Sequence, residues 1–144
     1  MEPTAIILQH KPSIPTDDLL STFARSGITG IKLRPNNVNE LPSEQLIAKS
    51  SAVVLVDIPA RNNHQLHEEE IKLIKRFRNK KKILALGTGT ITAGIAHGAK
   101  ICSDHLRLGW MPAAPTNHVS GQLEKFSTKI LVNSNIKLTP PEEA

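Results

Sequence analysis

Short apolar segments alternate with amphipathic segments along most of the chain, and this alternation predicts strands followed by helices. Five strands are predicted, at residues 4–8, 28–34, 51–59, 83–86 and 105–110. The third contains the continuous run Val53, Val54, Leu55 and Val56. Such a β-branched run is typical of a central parallel strand that is covered on both faces. The fifth differs, because Leu106 and Leu108 alternate with polar residues.

The amphipathic segments predict five helices between and after these strands. Thr16 is a predicted N-cap for the first, with Asp17 and Asp18 at the end where the helix dipole favours negative charge. A short helix follows Pro42, a longer one spans residues 65–78, and a weak one spans residues 90–99. The last is predicted to begin after Thr116, with apolar residues at helical spacing: Val119, Leu123, Phe126 and Ile130.

Strictly alternating strands and helices predict an α/β fold with one five-stranded parallel sheet. The flavodoxin-like order 2-1-3-4-5 is the usual solution for five such units. Residues 1–134 are predicted to form this domain, and residues 135–144 a linker or tail. In this order the functional crevice lies at the carboxyl ends of the strands. The residues predicted there are Gln9, His10, Asp57, Gly87, Thr88 and Met111.

Composition bounds the class of protein. The chain has 144 residues, one cysteine and a formal net charge of +5. This length is enough for one domain with its own core, and one cysteine excludes an internal disulfide framework. No apolar run reaches the roughly 18 residues of a membrane-spanning helix, and the first residues lack the pattern of a signal peptide. We therefore expect a cytoplasmic protein with no membrane association.

The third strand and its end resemble those of response-regulator receiver domains. In that family an aspartate at the position of Asp57 accepts a phosphoryl group. Pro12 lies where receivers carry a proline after an acidic pair, and Met111-Pro112 lies where they carry Lys-Pro. The resemblance implies a receiver-like fold over most of the chain.

The same resemblance implies a degenerate receiver. Gln9 and His10 replace the acidic pair that binds Mg²⁺, and Met111 replaces the lysine. An amide and an imidazole are poor magnesium ligands, and a thioether has no charge to stabilise a phosphoryl group. The implied pocket is a degenerate phosphoacceptor site made of Gln9, His10, Asp57, Gly87, Thr88 and Met111.

The function implied is that of a pseudo-receiver in bacterial signal transduction and transcription control. Such a domain acts through protein contacts or dimerisation rather than phosphorylation. The expected partners are its own C-terminal output domain or another protein, with a homodimer face at His105, Arg107 and Trp110. We expect no enzymatic activity, no catalytic residues, no cofactor and no metal.

Three other sequence features suggest alternative functions. The turn Gly87-Thr88-Gly89 precedes a helix, where backbone amides can hold a phosphate. It supports the main alternative, a small α/β domain that binds a nucleotide or phosphorylated metabolite. His64 and His67, which precede three glutamates, suggest a metal site, but no third ligand is evident.

The third feature is the basic segment at residues 72–82, which holds seven lysines and arginines. Cations at a helix C-terminus are favoured by the dipole, and aromatic residues make up only 3% of the chain. Surfaces on which bases can stack are therefore scarce, and we do not expect direct nucleic-acid binding. Cys102 is expected to be a buried and inert thiol.

Overall fold

The structure is a computed structural model that describes residues 2–113 and 128–139, with side chains described for residues 2–100. The chain divides into two compact units, Met1–Gly98 and Ala99–Ala144. The first contains β1 (Thr4–Leu8), α1 (Asp17–Arg25), β2 (Thr29–Leu33), a 3-10 turn (Val38–Glu40), α2 (Glu44–Lys49), β3 (Ala52–Leu55), α3 (His64–Phe77), β4 (Lys82–Ala85) and α4 (Gly89–Ala96). The second contains β5 (Lys100–Ala113) and β6 (Thr128–Thr139).

A parallel sheet of four strands forms the centre of the first unit, in the order β2-β1-β3-β4. β1 pairs with both β2 and β3, and β3 also pairs with β4, all in parallel. The prediction of an α/β fold with a parallel sheet is therefore confirmed. None of the helices in the described part of the chain is long and apolar enough to cross a membrane.

The predicted five-stranded sheet is wrong, because the fifth predicted strand does not join it. Residues 105–110 belong to β5, which pairs antiparallel with β6 in a separate two-stranded sheet. The register of this pair shifts between Ser103 and Arg107. The alternation of Leu106 and Leu108 is the period expected of an antiparallel strand, whereas a buried parallel strand is apolar on both faces.

The other C-terminal predictions fall partly outside the described residues. The last predicted helix lies mostly within residues 114–127, outside the description, and its final apolar residue Ile130 lies in β6. The predicted tail overlaps β6 as far as Thr139. The division of the chain at residue 134 stays a prediction.

Helices cover both faces of the parallel sheet. Ile6, Leu8, Val53 and Leu55 pack on one face, in a core completed by residues of α2, α3 and α4: Ile47, Ile74, Phe77 and Ala96. Ala5, Ile7, Val54 and Val56 face the other way, towards α1, where Leu19, Leu20 and Phe23 pack against them. Successive strand side chains point to opposite faces, so burial of both faces requires the continuous apolar runs of β1 and β3.

The residue before the helix makes a side-chain capping hydrogen bond at α2 and α3 but not at α1. The Ser43 hydroxyl accepts a hydrogen bond from the Leu46 amide at 3.2 Å, and the Asn63 side chain accepts one from the Leu66 amide at 3.4 Å. The predicted cap Thr16 makes no side-chain capping bond. Its hydroxyl is buried and instead donates to the Gln9 side chain at 3.3 Å.

Gly89 allows α4 to begin directly against the end of β3. A Cβ at this position would meet the backbone of Leu55, with the carbonyl carbon at 2.6 Å and the carbonyl oxygen closer still. Real Cβ atoms do not approach backbone so closely, so a larger residue must displace the helix or the strand. The position of α4 over the sheet therefore depends on this glycine.

We predict that Gly89→Ala lowers the free energy of unfolding by about 3 kcal/mol, the upper part of the range for overpacking. Gly27→Ala is the matched control, because Gly27 has a φ of 71° but nothing within 4 Å of an added Cβ. It should cost only about 1 kcal/mol, the penalty of the left-handed conformation. Urea unfolding measures both, and equal losses would contradict the close approach at Gly89.

Candidate functional site

A buried carboxylate joins β3 to the loop after β1. Asp57 lies two residues beyond the end of β3 and is fully buried. Its Oδ1 accepts a hydrogen bond from the His10 amide at 2.6 Å, and its Oδ2 accepts one from the Lys11 amide at 2.7 Å. Both carboxylate oxygens therefore hold the backbone of the β1–α1 loop.

Gln9, the first residue of this loop, holds it from within. Its fully buried side chain donates through Nε2 to the carbonyl of Lys11 at 2.7 Å and to that of Ile14 at 2.6 Å. Its Oε1 accepts the hydroxyl of Thr16. Together Gln9 and Asp57 satisfy backbone groups of the loop from its buried side.

His10 links this loop to α3. Its Nε2 lies 2.7 Å from Glu70 Oε2, and its Nδ1 lies 3.2 Å from the Pro35 carbonyl oxygen. Both partners are acceptors, so the imidazolium form satisfies both ring nitrogens. Burial alone lowers the pKa of His10, but the hydrogen bond and charge of Glu70 outweigh it and leave the pKa above its usual 6.5.

Glu70 is fully buried in α3, and its second oxygen, Oε1, has no hydrogen-bond partner within the described residues. His67 lies one turn earlier, with Nε2 3.0 Å from the hydroxyl of Thr92 in α4. Burial lowers the pKa of His67 below 6.5, against the attraction of Glu70. The two histidines near Glu70 therefore have pKa values shifted in opposite directions.

The turn between β4 and α4 forms a sharp elbow at the carboxyl end of the sheet. β4 ends at Ala85 and α4 begins at Gly89, so only three residues connect them. Gly87, in the middle, has a φ of 51° and would place a Cβ 3.3 Å from the Val56 carbonyl oxygen. Small residues at positions 85 and 89 allow this tight strand–turn–helix geometry.

This geometry is that of a nucleophile elbow, in which the central residue projects from a strained turn above the sheet. In such elbows the central residue carries the attacking side chain. Here the central residue is Gly87, which has no side chain. The elbow can offer a ligand backbone N–H groups and the helix dipole, but residue 87 cannot form a covalent bond through a side chain.

A cavity of about 380 Å³ lies beside the elbow, and we refer to it as the elbow cavity. The β1–α1 loop supplies one wall, and the ends of β3 and β4 supply the other. Its lining residues are Lys11, Ile14, Pro15, Thr16, Leu19, Val56, Leu86, Gly87 and Thr88. The loop that Gln9 and Asp57 fix is therefore also a wall of this cavity.

The structure brings most of the predicted crevice residues to one end of the sheet. Gln9, His10 and Asp57 share the hydrogen-bond network of the β1–α1 loop, while Gly87 and Thr88 line the elbow cavity. Met111 lies on β5 in the second unit, as do the residues of the predicted dimer face, and their side chains lie outside the description: His105, Arg107 and Trp110. The dimer face stays a prediction.

Sequence reasoning missed Glu70 and Lys11. Glu70 lies four residues after Leu66 and four before Ile74, on the inward stripe of α3 where an apolar residue is expected. That placement was a readable signal of a buried carboxylate.

Among the side chains of residues 2–100, no group of three or more histidine, cysteine, aspartate or glutamate residues could hold a metal ion.

Comparison with solved structures identifies the fold. The chain is similar to a glutamine amidotransferase from Thermotoga maritima, with a TM-score of 0.80 and 13% identity over 99% of this chain. It also matches a glutamine amidotransferase from Methylobacillus flagellatus, with a TM-score of 0.70 and 16% identity over 99% of this chain. A Thermoplasma acidophilum protein that is named as a GMP synthase component has a TM-score of 0.67 and 13% identity, again over 99%.

The chain spans only part of these proteins, covering 64%, 59% and 70% of their respective lengths. No family model matches the sequence, and no curated protein matches it. At these identities the similarity establishes the fold alone, which is that of glutamine amidotransferases.

These neighbours correct the sequence-based function. The resemblance to response-regulator receivers is wrong, and with it the pseudo-receiver role in signal transduction and transcription control. The prediction that the chain is not an enzyme is contradicted as well, because the neighbours are named as amidotransferases and a synthase component. The receiver motifs were short, and both folds place an apolar parallel strand before a polar residue at the same sheet edge.

We predict that Asp57→Ala lowers the free energy of unfolding by about 3 kcal/mol, because the part-buried amides of His10 and Lys11 lose the carboxylate that accepts their hydrogen bonds. Asp18→Ala, at an exposed position in the first turn of α1, should cost less than about 1 kcal/mol. Chemical unfolding of both variants tests this. A loss at Asp57 no larger than at Asp18 would show that the carboxylate does not hold the loop.

The raised pKa of His10 predicts a definite pH dependence of stability. The stabilisation from His10 is complete below the unfolded-state pKa near 6.5 and declines as pH rises through the higher folded-state pKa. The stability difference between wild type and His10→Gln should therefore be largest below pH 6.5 and shrink above it. His67 is present in both proteins with a pKa shift of the opposite sign, caused first by burial and only in small part by the charge of His10. Unfolding series across pH measure the difference, and a gap that widens with pH would refute the ion pair.

Proposed function

We propose that this chain is the amide-binding part of a glutamine amidotransferase-type enzyme of nitrogen metabolism. The observation that carries the proposal is the elbow, in which Gly87 has a φ of 51° between the small residues Ala85 and Gly89. The structural similarity to glutamine amidotransferases supports it independently. The elbow lies at the carboxyl ends of parallel strands, where α/β proteins bind ligands.

We assign the first unit to the flavodoxin-like architecture within the same proposal. The observed order β2-β1-β3-β4 corresponds to the first four strands of the flavodoxin-like order 2-1-3-4-5. Helices cover both faces of the sheet, as that architecture requires.

The elbow favours binding of an amide through its carbonyl oxygen. The amides of Gly87 and Thr88 precede α4, and no bond from either to another backbone group is present within the described residues. A helix N-terminus and free N–H groups attract a carbonyl oxygen or an anion. Because residue 87 has no side chain, any group that attacks the amide must come from outside the elbow. The similar solved proteins are longer than this chain, which is consistent with an attacking group from another part of such an enzyme.

We predict saturable binding of L-glutamine to the purified chain, measured by isothermal titration calorimetry. Gly87→Leu should abolish it, because the added side chain occupies the turn where the amide binds. Gly27→Leu is the matched control, since Gly27 has a similar positive φ but lies at the end of α1. Binding that survives Gly87→Leu, or no binding to the wild type, would overturn the proposal.

A further inference from the structure

We propose that the elbow cavity binds a small organic carboxylate with an apolar body. The cavity volume of about 380 Å³ is within the range of small-molecule sites. This inference goes beyond the proposed function, because it concerns a ligand in the cavity itself and does not require that glutamine binds at the elbow.

The walls of the cavity select an apolar body. Ile14 and Leu19 line it from the α1 side, and Val56 and Leu86 line it from the sheet. Leu86 is 37% exposed, one of two large apolar side chains with substantial exposure within residues 2–100. Ligand pockets are lined mainly by apolar side chains with a few polar groups that fix orientation. A ligand whose apolar part contacts Leu86 would remove that side chain from water.

The polar groups of the cavity select a negative charge. Lys11 lines it directly, and the Lys32 ammonium lies 3.2 Å from the lining hydroxyl of Thr16. The amides of Gly87 and Thr88 add the positive end of the α4 dipole. No carboxylate is among the lining residues, and the nearby Asp57 is buried with both oxygens bound to amides. The charged side chains that line the cavity or contact its lining are therefore lysines, which favours an anionic ligand.

The geometry is fixed before a ligand arrives. The backbone of Lys11 is bound at its N–H by Asp57 and at its carbonyl by Gln9. The Ile14 carbonyl is bound by Gln9 as well. The side chains of Asp57 and Gln9 are both fully buried. Binding to a wall that is already ordered avoids the cost of ordering a loop.

A second cavity in the same unit illustrates the difference in charge. It is lined by Glu44 and Glu69 as well as by Lys72 and Arg76, and these side chains pair with one another. Its positive charges are therefore compensated. The elbow cavity combines lysine, backbone amides and apolar walls without such acids, which favours an anionic ligand there.

Titration calorimetry of the whole chain with phenylacetate tests the anionic part. We expect saturable binding that Lys11→Met weakens about tenfold, the loss of one charge-assisted hydrogen bond. Lys75→Met, at an exposed position on α3, should bind like the wild type. Phenylacetamide has the same shape without the charge and should bind about tenfold more weakly. No binding of phenylacetate, or equal binding of the two compounds, would overturn the proposal.

A matched pair on β4 and the residue after it tests the apolar part. Leu86→Gln should weaken phenylacetate binding severalfold, whereas Leu84→Gln should not. Leu84 and Leu86 are 43% and 37% exposed, but only Leu86 lines the cavity. Circular dichroism melting confirms that both variants fold. Equal effects of the two substitutions would show that phenylacetate binds elsewhere. Both ligands contact the amides of Gly87 and Thr88, so the Lys11 and Leu86 variants, which the proposed amide site does not use, distinguish a failure of this inference from a failure of the proposed function.

Discussion

The paired hydrogen bonds from Asp57 to the amides of His10 and Lys11 are the constraint on which this end of the molecule depends. They join the end of β3 to the loop after β1, between strands that already pair in the sheet. Gln9 completes the arrangement from within the loop. Since both side chains are buried and bonded, a flexible connection becomes a rigid wall. The shape of the elbow cavity follows from this wall.

The elbow adds a second constraint of a different kind. Gly89 lets α4 approach the backbone of Leu55, and Gly87 adopts a φ that residues with a Cβ adopt only at a cost. The turn therefore preserves the strand–turn–helix geometry of an elbow with no strain at residue 87. It presents backbone dipoles where an elbow with a larger central residue would present a side chain. The proposed recognition rests on amides, on the Lys11 charge and on apolar walls.

The sequence was informative where a single physical rule decides the outcome. Continuous apolar runs predicted the buried parallel strands, and their carboxyl ends predicted Gln9, His10 and Asp57 as neighbours. The fifth strand was mispredicted because two leucines in alternation were read as parallel rather than antiparallel. The partner of His10 was not predictable in the same way, since its contact with Glu70 spans 60 residues and depends on how α3 packs. The functional prediction was wrong because short motifs at strand ends are shared by unrelated α/β folds.

The long sequence separations in the Asp57 network have a consequence for synthesis on the ribosome. The amides of His10 and Lys11 bind the Asp57 carboxylate, which lies 47 and 46 residues further along the chain. During translation the β1–α1 loop therefore emerges before Asp57 is available to accept hydrogen bonds from these amides. The loop can close only after β3 and Asp57 have left the exit tunnel, and His10 is paired only after Glu70 has followed. Long-range closures of this kind are slow because chain entropy must be lost first. Pauses in translation between residues 57 and 70 would prolong a state in which β1, β2, β3 and Asp57 have been made but His10 still lacks Glu70 as a partner.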